Sequence, residues 1–124
     1  METENALKMV FREKLLDDGK YDARVVAVQS LNTLNGRRIR VTTRVESQDP
    51  EENGVPVSTL VDPHLARGSR LARLYEAATG KTLKNGMEVD LNEMIGKEIL
   101  ILVQNLPNSN GEIYPRIVRF WPQE

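Results

Sequence analysis

Four arginines lie close together in the segment RRIRVTTR, and no acidic residue separates them. They are Arg37, Arg38, Arg40 and Arg44. A guanidinium group stays charged at neutral pH, binds phosphate oxygens through a planar fork of N–H groups, and stacks on bases. This cluster therefore predicts a site for a polyanion, and in particular for a nucleic-acid backbone.

A second group of candidate residues lies near the end of the chain and combines cations with aromatic rings. It contains Tyr114, Arg116, Arg119 and Trp121. Because every base has a flat π-face, an aromatic side chain can stack on any base, and such binding tolerates many sequences. If both groups share one surface, these eight residues predict a binding site for single-stranded nucleic acid, with DNA as the first choice and RNA as the other.

The overall charge of the chain gives no long-range attraction to a polyanion. The 124 residues include 17 Lys and Arg against 18 Asp and Glu, so the net charge is −1. A nearly neutral protein binds a polyanion only through a local concentration of cations. The arginine cluster is therefore the feature on which a nucleic-acid function depends.

Other chemistries find little support in the sequence. The chain has no cysteine and one histidine, His64, which excludes thiolate or histidine-rich metal sites within one chain. Gly80-Lys81-Thr82 matches the end of a phosphate-binding P-loop, but Tyr75 occupies the position of its first glycine. We expect no metal, no cofactor and no catalytic residues, and hence a protein that is not an enzyme.

The arginines are predicted to lie on a strand because apolar and polar residues alternate through them. Strand two begins near Arg37, with Ile39, Val41, Thr43 and Val45 facing the core and Arg38, Arg40, Thr42 and Arg44 facing outward. Four further strands are predicted at 21–28, 55–61, 97–104 and 112–120. The core and the cations therefore occupy opposite faces of the same strand.

One helix is predicted between the third and fourth strands. Leu71, Leu74, Tyr75 and Ala78 follow a period of 3.6 between Arg67 and Gly80, with Ser69 as the N-cap and Gly80 just past the end. Asp90 and Glu93 have the spacing of a capping box, which predicts one further helical turn before strand four.

This order of elements predicts a fold class. Five short strands with a helix between the third and fourth are typical of the OB-fold, a five-stranded Greek-key barrel whose second strand and loops bind oligonucleotides. We expect one such domain over 19–124, preceded at 1–18 by a short helix or an ordered arm. The apolar residues of that segment include Leu7, Val10, Phe11, Leu15 and Leu16.

Several segments resemble a known group of proteins. They are Gly19–Tyr21 leading into a strand, SRLARLYEAATG, 90–97 before an apolar strand, and Gly111–Arg116. Over about residues 19 to 122 the chain resembles small OB-fold proteins of bacteriophages and related mobile elements, several of which look like single-stranded-DNA-binding proteins of replication and recombination. The resemblance implies sequence-tolerant binding of single strands without catalysis.

Two alternatives remain open at the level of sequence. The arginines could form a solvated strand edge that discourages sheet association, neutralised by the acidic segment with Glu46, Asp49, Glu51 and Glu52. Alternatively, the same barrel could be a protein-interaction or assembly module that forms a homo-oligomer through its arm or a strand edge. The acidic start and the lack of a long apolar run predict a cytoplasmic protein without membrane contact.

Overall fold

The computed structural model describes residues 7–123 and contains five strands in one sheet and one α-helix, in the predicted order. The elements are β1 (Gly19–Thr33), β2 (Gly36–Val45), β3 (Pro56–Val61), α1 (Arg70–Thr79), a 3-10 turn (Leu91–Met94), β4 (Glu98–Pro107) and β5 (Ile113–Pro122). Within the described residues, α1 has ten residues and no helix is long and apolar enough to cross a bilayer.

The alternation predicted for β2 is confirmed. Ile39, Val41, Thr43 and Val45 are buried, with exposed fractions of 5% or less. The residues between them, Arg38, Arg40, Thr42 and Arg44, are partly or fully exposed on the outer face. The Thr43 hydroxyl would be costly to bury alone, but it donates a hydrogen bond to the Val57 carbonyl at 2.9 Å.

The pairing of the strands closes the sheet on itself in the order β1-β2-β3-β5-β4, with β4 returning to β1, and so forms a barrel. The β1–β2, β2–β3, β4–β5 and β1–β4 pairs are antiparallel. Strands β3 and β5 are parallel and pair only at Ser58 and Arg116. We call this short contact the β3–β5 seam, and it is the least extensively paired junction of the closed sheet.

Helix α1 packs its apolar stripe into the core, as its periodicity predicts. Leu71, Leu74, Tyr75 and Ala78 are all buried. Ser69 caps the helix by accepting a hydrogen bond from the Ala72 N–H at 3.1 Å. Gly80 ends it in the left-handed region at φ 74°, where glycine has no Cβ to clash.

The turn before β4 departs from a reciprocal capping box. Asp90 accepts from the Asn92 N–H at 2.9 Å, as an N-cap should. The carboxylate of Glu93, however, binds the Lys81 ammonium and accepts from the buried Tyr75 hydroxyl at 2.7 Å. These two hydrogen bonds lower the pKa of Glu93, and the bond to Glu93 together with burial raises the pKa of Tyr75. Glu93 therefore links helix α1 to the turn instead of closing the cap.

The N-terminal segment is an arm over its described part, and the helix alternative is wrong for residues 8–18, which contain no helix. Leu16 anchors the arm in two ways. Its side chain is fully buried, and its carbonyl accepts a hydrogen bond from the Asn105 amide at 2.9 Å. Leu7, Met9, Val10 and Phe11 are 86–90% exposed. Residues 1–6 of the predicted arm, and Glu124 of the predicted domain, lie outside the described residues.

Candidate nucleic-acid interface

A groove of about 780 Å³ lies over the β3–β5 seam and collects half of the predicted site residues. Arg38 and Arg40 enter it from β2, and Tyr114 and Arg116 enter it from β5. The groove is also lined by Arg70 of α1, which is not among the predicted site residues. Two groups of residues that are about 75 positions apart in the chain thus share one surface, as a joint site requires.

The two β2 arginines are held in the groove by neighbouring polar side chains. Arg40 donates from Nε and Nη2 to the Gln29 amide oxygen on β1, at 3.2 and 2.8 Å. Arg38 Nε lies 3.3 Å from an Asp62 carboxylate oxygen, and the Asp62 side chain is 68% exposed. Such an exposed ion pair is worth little and exchanges easily for a phosphate. The Gln29 amide is neutral, so it does not compensate the charge of Arg40.

On the opposite wall, β5 presents a ring and a cation. Tyr114 is 45% exposed, and its hydroxyl donates to the Glu112 carboxylate at 3.2 Å. Arg116 is exposed at the β3–β5 seam, opposite Ser58. Leu106, which pairs with Tyr114, and Leu60 of β3 add apolar surface to the groove. This wall can therefore contact both a base and a phosphate.

Arg70 joins α1 to both strands of the seam. Its Nη2 donates to the Ile117 carbonyl at 3.0 Å and to the Thr59 hydroxyl at 3.2 Å. Its guanidinium carbon lies 5.2 Å from the centre of the Phe120 ring. Burial, and next the neighbouring Arg73, lower the pKa of Arg70, but an arginine in a protein remains protonated. The sequence contains one sign of this role. A cation in the first turn of a helix interacts unfavourably with the helix dipole, so its presence there indicates that contacts with other elements hold it.

The groove is electrostatically one-sided. Its lining contains four arginines and no acidic residue. Two carboxylates outside the lining contact groove residues, Asp62 with Arg38 and Glu112 with Tyr114. The acidic segment does not neutralise β2 within residues 7–123, because Glu46 pairs with Arg24 at 2.9 Å and Glu51 with Arg12 at 3.3 Å. Strand β2 is also paired on both sides, so it is not an edge strand.

Two of the predicted β2 site residues lie elsewhere, so the groove does not bring all four arginines of the cluster together. Arg37 is at the β1–β2 hairpin and donates to the Ser30 hydroxyl at 2.8 Å. Arg44 is at the far end of β2 and donates to the Gly54 carbonyl at 2.8 Å. Neither lines the groove. Strand β2 is long enough that its outward side chains reach different surfaces of the closed sheet.

Arg119 and Trp121 also lie outside the groove, in a second recess of about 610 Å³ between α1 and the end of β5. Arg73 lines this recess as well, and Arg70 lines both the recess and the groove. The Lys20 ammonium lies 4.9 Å from the centre of the Trp121 ring. The β5 candidates are therefore divided between two adjoining surfaces.

Comparison with protein-family models and with curated proteins gave no match to this chain. Within residues 7–123, His, Asp and Glu side chains form no group of three that could hold a metal ion. The groove and the recess are consequently the features from which a function must be argued.

Proposed function

We propose that this chain is an OB-fold protein that binds single-stranded nucleic acid, and specifically single-stranded DNA, in the groove over the β3–β5 seam. The observation that carries the proposal is the groove lining, in which four guanidinium groups and an exposed tyrosine ring occur without a carboxylate. The strand order, with β1 between β2 and β4 and with β3 parallel to β5, supports the OB-fold assignment.

The chemistry of the groove suits a flexible single strand. Arg38, Arg40 and Arg116 can bind successive phosphates, because a guanidinium group forks onto phosphate oxygens. Tyr114 can stack on a base, which is worth about 1–3 kcal/mol and requires a base face that a duplex hides. None of these contacts reads a base edge, so we infer sequence-tolerant binding. We extend the proposal to a role in replication, recombination or repair, which is what the sequence resemblance to small OB-fold proteins of bacteriophages and related mobile elements implies.

A salt titration tests the proposal. We expect labelled oligothymidylate to bind, with a slope of log affinity against log salt of about −2 to −3, because each of three or four phosphate contacts contributes about −0.7 on a single strand. Fluorescence anisotropy measures the affinity, with oligouridylate and duplex DNA of equal length as comparisons. A flat salt dependence, or equal affinity for the duplex, would contradict the proposal.

A second candidate function is a protein-interaction or assembly module, and the N-terminal arm is the observation that favours it. Leu7, Met9, Val10 and Phe11 form a run that is almost fully exposed, beyond the anchor at Leu16. Adjacent exposed apolar side chains of this size mark a contact surface more often than isolated ones do. This function is compatible with nucleic-acid binding, because the arm does not line the groove.

A further inference from the structure

The second recess adjoins the groove and shares its basic character. Arg70 and Val118 line both cavities, so the two surfaces meet at Arg70. Beyond it, the recess is lined by Arg73 and Ala77 of α1 and by Arg119 and Trp121 of β5. The groove and the recess together form a continuous band across β2, the seam and α1.

Among residues 7–123, no carboxylate pairs with the cations of the recess. Arg73 and Arg119 are exposed and make no side-chain hydrogen bond or ion pair with any residue in 7–123. The recess contains one carboxylate, that of Glu76, which accepts a hydrogen bond from the Leu83 N–H at 2.8 Å. Across the groove and the recess there are six arginines and this single acidic residue.

Arg70 and Arg73 place two like charges side by side at the start of α1, although Arg70 also bonds to Thr59 and Ile117. Residues three apart on a helix are neighbours, so their guanidinium groups repel each other. Both lie in or near the first turn of α1, which holds no acidic residue to balance them. A negatively charged ligand between them would relieve this repulsion, and a phosphate has the geometry to bind both.

We propose that a bound single strand does not end in the groove but turns at Arg70 and continues through the second recess, where Arg73 and Arg119 bind its phosphates and Trp121 contacts a base. This inference rests on the proposed function and adds the route of the strand and a second binding segment. Lys20, beside the Trp121 ring, supplies a further cation at the end of the route.

The length of the oligonucleotide separates the two segments. We expect an oligothymidylate of about 4 nucleotides to occupy the groove alone and one of about 12 to reach the recess, both within the range known for one OB-fold. The salt slope of the longer ligand should be steeper by about 1 to 1.5, because about two further phosphates are bound. Emission of Trp121, the only tryptophan of the chain, should change with the longer ligand only.

A pair of double variants provides the decisive comparison. Arg73→Gln with Arg119→Gln should weaken binding of the longer ligand about tenfold and leave the shorter one unchanged. Lys84→Gln with Lys97→Gln removes the same charge from exposed positions outside both cavities and should alter neither affinity. Circular dichroism of each variant verifies that it is folded.

The outcomes distinguish the route from the function itself. If neither ligand binds the unaltered protein, the proposed function and the route are both wrong. If both ligands bind but the two double variants behave alike, or the recess variant weakens both lengths equally, only the route is overturned. An unchanged Trp121 emission together with equal salt slopes for the two lengths would also overturn it.

Discussion

Arg40 and Arg44 project from the same face of β2 four residues apart, yet only Arg40 lines the groove. We expect Arg40→Glu to weaken single-strand binding by about tenfold or more, because it places a carboxylate beside a phosphate. Arg44→Glu makes the same change in net charge at the far end of the strand and should have a small effect. Anisotropy at one fixed salt concentration compares the two variants, and equal losses would mean that overall charge, not the groove, determines affinity.

The same two residues show what the sequence can and cannot predict about the site. Alternation correctly places both on the outer face, because successive side chains of a strand point to opposite sides. It does not predict which end of β2 approaches β5, since that depends on long-range register. The strand partners of both arginines, Leu60 and Pro56, line the groove. Arg40 lines it as well, whereas the Arg44 guanidinium donates to the Gly54 carbonyl in the hairpin loop.

Arg70 illustrates a different limit of prediction at a single residue. Periodicity correctly assigns its neighbours Leu71 and Leu74 to the core and treats Arg70 as a polar helix position. Its contacts with Thr59 and Ile117 come from strands that are distant in sequence. Only the unfavourable position of a cation at the helix N-terminus hints that tertiary contacts hold it there.

At the scale of elements, helix α1 must be well ordered at its start because Arg70 is its first residue. Ser69→Ala removes the hydroxyl that accepts from the Ala72 and Ala66 N–H groups, and we expect it to lower the free energy of unfolding by about 1 kcal/mol. Urea denaturation monitored by circular dichroism measures the change.

Ser69→Asp is the matched control for the cap, because aspartate also accepts a hydrogen bond at this position. It should retain most of the stability that Ser69→Ala loses. If both variants were destabilised equally, packing around Ser69 and not its capping bond would account for the loss.

Local sequence patterns predict which helices and strands are present, but they do not predict the lengths of these elements. Helix α1 ends where Ser69 and Gly80 indicate, since caps act through bonds to adjacent backbone. Strand β1, in contrast, continues to Thr33, five residues beyond its predicted end, because Ser30, Leu31 and Asn32 pair with β2. Pairing with a partner strand lengthens an element in a way that its own residues do not encode.

At the scale of the whole molecule, the exposed arm predicts self-association. Met9→Ser with Phe11→Ser should reduce the molar mass measured by light scattering if the arm joins copies of the chain. These substitutions leave the core anchor Leu16 in place, whereas deleting the arm up to Asp18 would remove it. An unchanged mass would refute assembly through these two side chains, and unchanged binding of oligothymidylate would confirm that the arm acts independently of the groove.

The closure of the sheet is the feature that local sequence patterns predict least well. The prediction of five strands and an inserted helix rests on segments that can be recognised one at a time. The parallel contact of β3 with β5 involves one pair of residues, Ser58 and Arg116, and neither has a feature that marks it in the sequence. Because the groove lies over this contact, its position also follows from closure and not from any motif.

This weak junction has a consequence for energetics. A ligand that binds Arg40 on one side and Arg116 on the other would cross-link parts of the wall that the protein itself connects by a single residue pair and by the bonds of Arg70. Since any ligand specific for the native state raises resistance to heat, the melting temperature should increase with polyanion concentration. Bound nucleic acid would then stabilise the barrel at the β3–β5 seam. In the unliganded protein, local unfolding would begin at this same junction.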